Sequence, residues 1–155
     1  MIWNECEKIQ NNIVRMRREL HMIPELGLDL PKTRAYVMAK LAEFGIPYVL
    51  SERDSSIIAT LKGGRPGRTV ALRADMDALP IQEETGVNYT STHDGCMHAC
   101  GHDAHTAMLL GAAKVLAEHR GELCGEVRFL FQTAEELSKG ASIILENGGL
   151  DNVDA

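Results

Sequence analysis

The chain has 155 residues, 45% hydrophobic and 25% charged, which suffices for one soluble domain with its own core. A formal net charge of −6 excludes the basic footprint of a nucleic-acid binder and any attraction to anionic membranes. No apolar run reaches the ~18 residues that span a bilayer. The start, Met1-Ile2-Trp3-Asn4-Glu5-Cys6-Glu7, lacks the basic-then-apolar order of a secretory leader. Two of its cysteines lie near histidines rather than on a regular disulfide framework, so a reducing compartment, the cytoplasm, is expected.

In chain order, Ile9, Ile13, Met16 and Leu20 recur at helical spacing over residues 5–20, and Pro24 ends the pattern. A second helix is predicted from Lys32 to Phe44, with Pro31 in its first turn and Gly45 as its stop. Residues 46–50 and 56–61 read as strands, 63–67 as a glycine-rich turn, and 69–74 as a strand aimed at Asp75-Met76-Asp77. These three strands are expected to form a meander. An apolar helix follows from Ala104 to His119, capped by Asp103, then a buried strand at Glu126–Phe131 and a short helix at 139–146 stopped by Gly148-Gly149. The chain closes at Asn152-Val153-Asp154-Ala155, where a further strand is expected to begin. Helices alternating with strands predict an α/β fold, a three-layer sandwich with a mixed sheet.

The chemistry concentrates between Cys96 and Glu136. Cys100 and His102 stand two residues apart before a helix, a spacing that lets a thiolate and an imidazole share one divalent ion. Zn²⁺ suits such ligands, and Mn²⁺, Co²⁺ or Ni²⁺ stay open because ligand type does not select cleanly among first-row metals. Glu135 and Glu136 follow the buried strand at its carboxyl end, where sites in α/β sheets gather. Metal-assisted amide hydrolysis needs one carboxylate on the ion and another that takes a proton from water, and adjacent residues pointing apart would supply both. Asp75 and Asp77 follow another strand end and can orient a histidine, with a solvated turn as the plain reading of Asp75. His98 and His105 read as structural, His93 and His119 as solvated, and a Cys96–Cys100 disulfide as a competitor of metal binding. Two other readings stay open: a non-catalytic metal-binding or sensor domain using Cys96, His98, Cys100 and His102, and a thiol hydrolase with Cys100 as nucleophile.

Four ordered motifs carry a resemblance. They are Arg18-Glu19-Leu20-His21 through Pro24-Glu25-Leu26-Gly27, Leu72 through Pro80, Met97-His98-Ala99-Cys100-Gly101-His102-Asp103, and Phe131 through Glu136. Together they resemble the amidohydrolase branch of the M20 metallopeptidases, which includes hippurate hydrolases, N-acyl-amino-acid amidohydrolases and auxin-conjugate hydrolases. The resemblance implies a zinc-aminopeptidase-like catalytic domain, with Cys100, His102 and Glu136 as metal ligands and Glu135 as general base. Asp77 would act from behind the ligands as part of the catalytic apparatus. It further implies a two-metal site with Zn or Mn foremost, a small N-acyl amino acid or short peptide-like substrate, and a homodimer. Thr133 stands where the family has proline before Ala-Glu-Glu, which is expected to loosen that loop. The family's remaining histidine ligands and its satellite dimerisation domain have no counterpart here. Residues 1–155 are therefore expected to be the N-terminal part of one catalytic domain, weakly active or inactive by itself.

Overall fold

The aliphatic stripe of the first helix and the β-rich segments after it settle into alternating layers. The computed structural model describes residues 2–155, with side chains from residue 7 onward. Eight elements follow in order: α1 (Ile2–His21), α2 (Pro31–Glu43), β1 (Tyr48–Leu50), β2 (Ile57–Lys62), β3 (Arg65–Asp75), α3 (His102–Glu118), β4 (Cys124–Gln132) and α4 (Gly140–Glu146). Helix α2 starts on Pro31, whose missing N–H costs nothing there. It ends where Gly45 takes φ +66.

The four strands form one mixed sheet in the order β1-β2-β4-β3. Strand β4 runs antiparallel to β2 and parallel to β3. The expected meander is therefore corrected: β1 and β2 pair, but β4 slots between β2 and β3. The physical reason lies in the glycines of the turn. Gly63 N–H donates to Gly125 O at 2.8 Å, and a Cβ on Gly63 would lie 2.5 Å from the carbonyl oxygen of Leu123. Only a chain without side chains can cross the entry of β4 so closely. The glycine-rich stretch is also partly strand, since β3 begins at Arg65 and shifts register before Thr69.

Alternation along the strands sorts the two faces. Leu72, Ala74, Phe129 and Phe131 join Ile57, Ala59 and Leu61 in the core beneath the helices. Helix α3 lies on β3 and β4, and α1 and α2 pack against α3. On the opposite face, Ile144 and Leu145 of α4 lie near Ala71, Arg73 and Leu130. Helices on both sides of a mixed sheet make the expected three-layer α/β sandwich. Asp154 N–H donates to Thr69 O, and Ala155 O accepts from Ala71 N–H, so residues 154–155 run along β3. No described helix is long and apolar enough to cross a membrane.

Candidate metal centre

Strands β3 and β4 are parallel neighbours, so their carboxyl ends open on the same side of the sheet. Asp75 pairs with Gln132 at the last rung. Beyond that rung the two chains diverge, β3 into Met76-Asp77 and β4 into Thr133-Ala134-Glu135-Glu136. The start of α3 rises between them.

Asp77 ties the three segments together. It is 1% exposed, and its two carboxylate oxygens accept the main-chain N–H groups of Glu135 (3.0 Å) and Glu136 (3.2 Å). Its own carbonyl oxygen accepts the Nδ1–H of His102 at 2.8 Å. That bond fixes the tautomer and leaves Nε2 of His102 as the free lone pair. Burial by itself would raise the Asp77 pKa, but the bonds from His102, Glu135 and Glu136 outweigh it and hold the carboxyl below its ordinary range. His102 is likewise pushed down by burial and up, on balance, by Asp77 and Asp75.

The glutamates reach the imidazole from a strained turn. Ala134 adopts φ +46, a left-handed conformation that costs a non-glycine residue roughly 1 kcal/mol or more. Its N–H donates to Gly27 O at 3.0 Å, and its carbonyl accepts from Lys139 and Gly140. Glu135 Oε2 then lies 3.9 Å and Glu136 Oε1 3.7 Å from His102 Nε2. The expectation that these neighbours point apart is corrected: the reversal at Ala134 turns both carboxylates toward one ring.

Cys100, His102 and Glu136 each offer a ligand atom, and these three atoms lie within 4.8 Å of one another. The Cys100 thiol is exposed, and its pKa is pushed up, first by its hydrogen bond to Glu136 and then by burial and by the charges of Glu136, Glu135 and Asp75. A thiol held protonated by surrounding carboxylates is an anionic set that a divalent cation complements, because the cation reverses that penalty. The donor chemistry fits a metal.

A second set, Asp75, His102 and His105, also lies within 4.8 Å. Here the groups already satisfy one another. His105 Nδ1–H donates to Asp75 Oδ1 at 2.6 Å, and Arg73 meets Asp75 Oδ2 at 2.8 Å. Asp75 is 4% exposed, so the solvated-turn reading of it is corrected. Neither set includes Cys96 or His98. The described cysteines, Cys96, Cys100 and Cys124, are free.

Other expectations shift with the geometry. Helix α3 begins at His102, two residues early, with Gly101 at φ +96 as its N-cap. Asp103 does not cap it; the residue sits in the first turn, where its Oδ1 accepts Ala104 N–H at 2.8 Å. His93 is pinned, not solvated, since its Nδ1–H donates to Pro24 O at 2.5 Å. Thr133 does not loosen its loop, because its hydroxyl donates to the buried carboxylate of Asp54. Asp54 escaped sequence reading because Ser51-Glu52-Arg53-Asp54-Ser55-Ser56 looks like any polar turn. Gly27 contributes only a carbonyl, and a main-chain group leaves no signal in the sequence.

With this geometry in view, comparison with known proteins is decisive. The model of peptidase family M20/M25/M40 matches residues 71–155, more than half of the chain. This chain belongs to that family. The M20 match contains both strand ends, the Cys100–His102 turn and the paired glutamates. The N-acyl-L-amino acid amidohydrolase of Geobacillus stearothermophilus is 47% identical over 96% of this chain and 40% of its own length. The N-acetyl-L-cysteine deacetylase of Bacillus subtilis is 46% identical over 95% of this chain and 35% of its own length. A crystal structure from Bacillus subtilis, described as a dinuclear metal binding peptidase from the M20 family, superposes with a TM-score of 0.89 at 43% identity. It covers 95% of this chain and 42% of that one. The chain thus spans about two fifths of the length of these M20 relatives.

Proposed function

We propose that this chain supplies metal-binding and proton-transferring groups for hydrolysis of the amide bond of N-acyl amino acids or similar small conjugates. What carries the reading is the convergence of Cys100, His102 and Glu136 within 4.8 Å, with Glu135 beside them on the same imidazole. The names of the relatives support the substrate class. In this reading residues 1–155 form the first portion of one catalytic domain. The remaining ligands and any dimer contacts come from elsewhere in the protein.

Cys100 Sγ, His102 Nε2 and a Glu136 oxygen would hold the cation, Zn²⁺ or Mn²⁺ foremost, in one half of a two-metal site. A divalent cation supplies Lewis acidity there, polarising a carbonyl and making water more acidic. Glu135 is not needed as a ligand and is 42% exposed at its side chain, so it can meet both water and substrate. It accepts the proton of the attacking water as the new C–O bond forms. It returns that proton to the amide nitrogen as the C–N bond breaks, releasing a carboxylic acid and an amine. Asp77 keeps both glutamates and His102 in register through bonds to their main chain and ring.

The test is turnover of a panel of N-acetyl and N-benzoyl amino acids by the protein, with chelator and after metal is restored. Hydrolysis that stops with chelator and returns with metal is expected, and Glu135→Gln should abolish it while metal stays bound. Chelator-resistant hydrolysis blocked by iodoacetamide would favour Cys100 as a nucleophile instead.

A further inference from the structure

One conspicuous motif lies outside the chemistry described so far: Arg17 and His21 at the end of α1. His21 is 2% exposed. Its Nδ1 lies 2.6 Å from Asp103 Oδ2, and its Nε2 3.2 Å from Glu83 Oε1. Arg17 Nε adds a second donor to the same Asp103 oxygen at 2.8 Å.

The two carboxylates belong to the two segments that flank the Cys100–His102 turn. Asp103 follows His102 in the first turn of α3, and its side chain is fully buried. Glu83 anchors the long loop that leads into Cys100, accepting Ser91 N–H at 2.6 Å and the Thr85 hydroxyl. The chain on either side of the two donor residues is thus tethered to one imidazole. Packing does not demand this arrangement. Met16, Leu20, Ala107 and Leu110 share the apolar core, and the close approach at Gly111 seats Ile13. Apolar contact holds α1 against α3 without regard to direction, whereas a buried carboxylate tolerates few geometries because every lone pair needs a donor.

We propose that His21 is a positioning residue for Cys100 and His102, acting through Asp103 to set where the start of α3 presents its donors. This rests on the metal reading above. Outer partners of metal ligands act in this way, and their loss costs about 10–100-fold in metal affinity.

The test is a titration of the protein with Co²⁺, followed by the thiolate-to-cobalt absorption band. His21→Asn places an amide nitrogen near the Nδ1 position and keeps a donor for Asp103; His21→Gln places it near Nε2 and keeps one for Glu83. The Gln variant is expected to bind Co²⁺ at least about tenfold more weakly, with a diminished band, and the Asn variant to recover most of the loss. Equal losses in the two variants, or none in either, would overturn the proposal. Should the Gln variant prove unfolded by circular dichroism, Arg17→Met decides, because its side chain is one-third exposed and its loss still strips a donor from Asp103. A weaker Co²⁺ midpoint in that variant supports the proposal, and an unchanged one overturns it. Absence of a thiolate band in the unaltered protein would remove the metal reading itself, and this inference with it.

Discussion

The interior beneath the helices and the layer above the strand ends are equally buried and built on opposite rules. In the first, Leu20, Leu41, Ile57, Leu61, Leu110, Phe129 and Phe131 are each 1% exposed or less. Among the described residues no charged side chain belongs to that cluster, and burial itself stabilises without regard to direction. In the second, Asp75, Asp77, His98, His102, Asp103, Gln132 and Thr133 are each 5% exposed or less. There, burial costs free energy unless each polar atom finds a partner. Most do. One place does not: His98, whose ring nitrogens have no hydrogen-bond partner. At the exposed edge of this layer, Cys100 hydrogen-bonds Glu136, two acidic groups face to face. The lesson is that the apolar half holds the fold together, while the polar half gathers the donors that the proposed function assigns to a cation.

The comparison can be broken by substitution. Phe129→Ala, in the apolar half, should cost about 3–5 kcal/mol of stability, read by urea unfolding. Asp77→Ala should cost less, about 1–3 kcal/mol for the stranded N–H groups, yet weaken metal binding by about 10–100-fold. If Phe129→Ala harmed metal affinity at matched stability as much as Asp77→Ala does, the division between the halves would fail.

Asp54 sharpens the same contrast through pH. Burial would raise its pKa, but hydrogen bonds from Ser56, Thr133 and Ser51 outweigh that and hold it below the ordinary value. A carboxyl depressed in the folded state contributes stability that is present above its unfolded pKa of roughly 4 and lost as pH falls through the folded value. Thr133→Val should therefore cost about 1.5–3 kcal/mol at neutral pH, with the gap from the unaltered protein closing below pH ~4. A gap independent of pH would show that Thr133 works by packing alone. The smallest effect is expected from His98→Phe. With no hydrogen bond to lose, it should change stability by less than about 1 kcal/mol, and a larger loss would reveal a partner for that ring.

Much of this was legible in the sequence, for identifiable reasons. Helix α2 carried its own punctuation in Pro31 and Gly45. Strand β4 and the long apolar α3 were visible because the buried end of β4, Phe129–Phe131, and most of α3 carry apolar side chains. The clustering of Cys100, His102, Glu135 and Glu136 followed from their position at strand and helix ends. Strand order was not legible, because the insertion of β4 beside β2 depends on backbone contact at Gly63 and Gly125, which no side chain announces. The roles of Gly27, Asp54 and the reversal at Ala134 were hidden likewise, since they act through carbonyls, a distant carboxylate and a dihedral angle. Asp103 was misplaced for a related reason: its preference for a helix start was read correctly, but a distant imidazole and guanidinium claim it.

The most direct test of the centre is Co²⁺ binding by the protein with Cys100→Ser, Glu136→Ala and Glu135→Gln compared. A thiolate-to-cobalt band should be lost with Cys100→Ser, bind more weakly with Glu136→Ala, and persist with Glu135→Gln. A band that survives Cys100→Ser, or one indifferent to Glu136, would contradict a centre built on Cys100, His102 and Glu136.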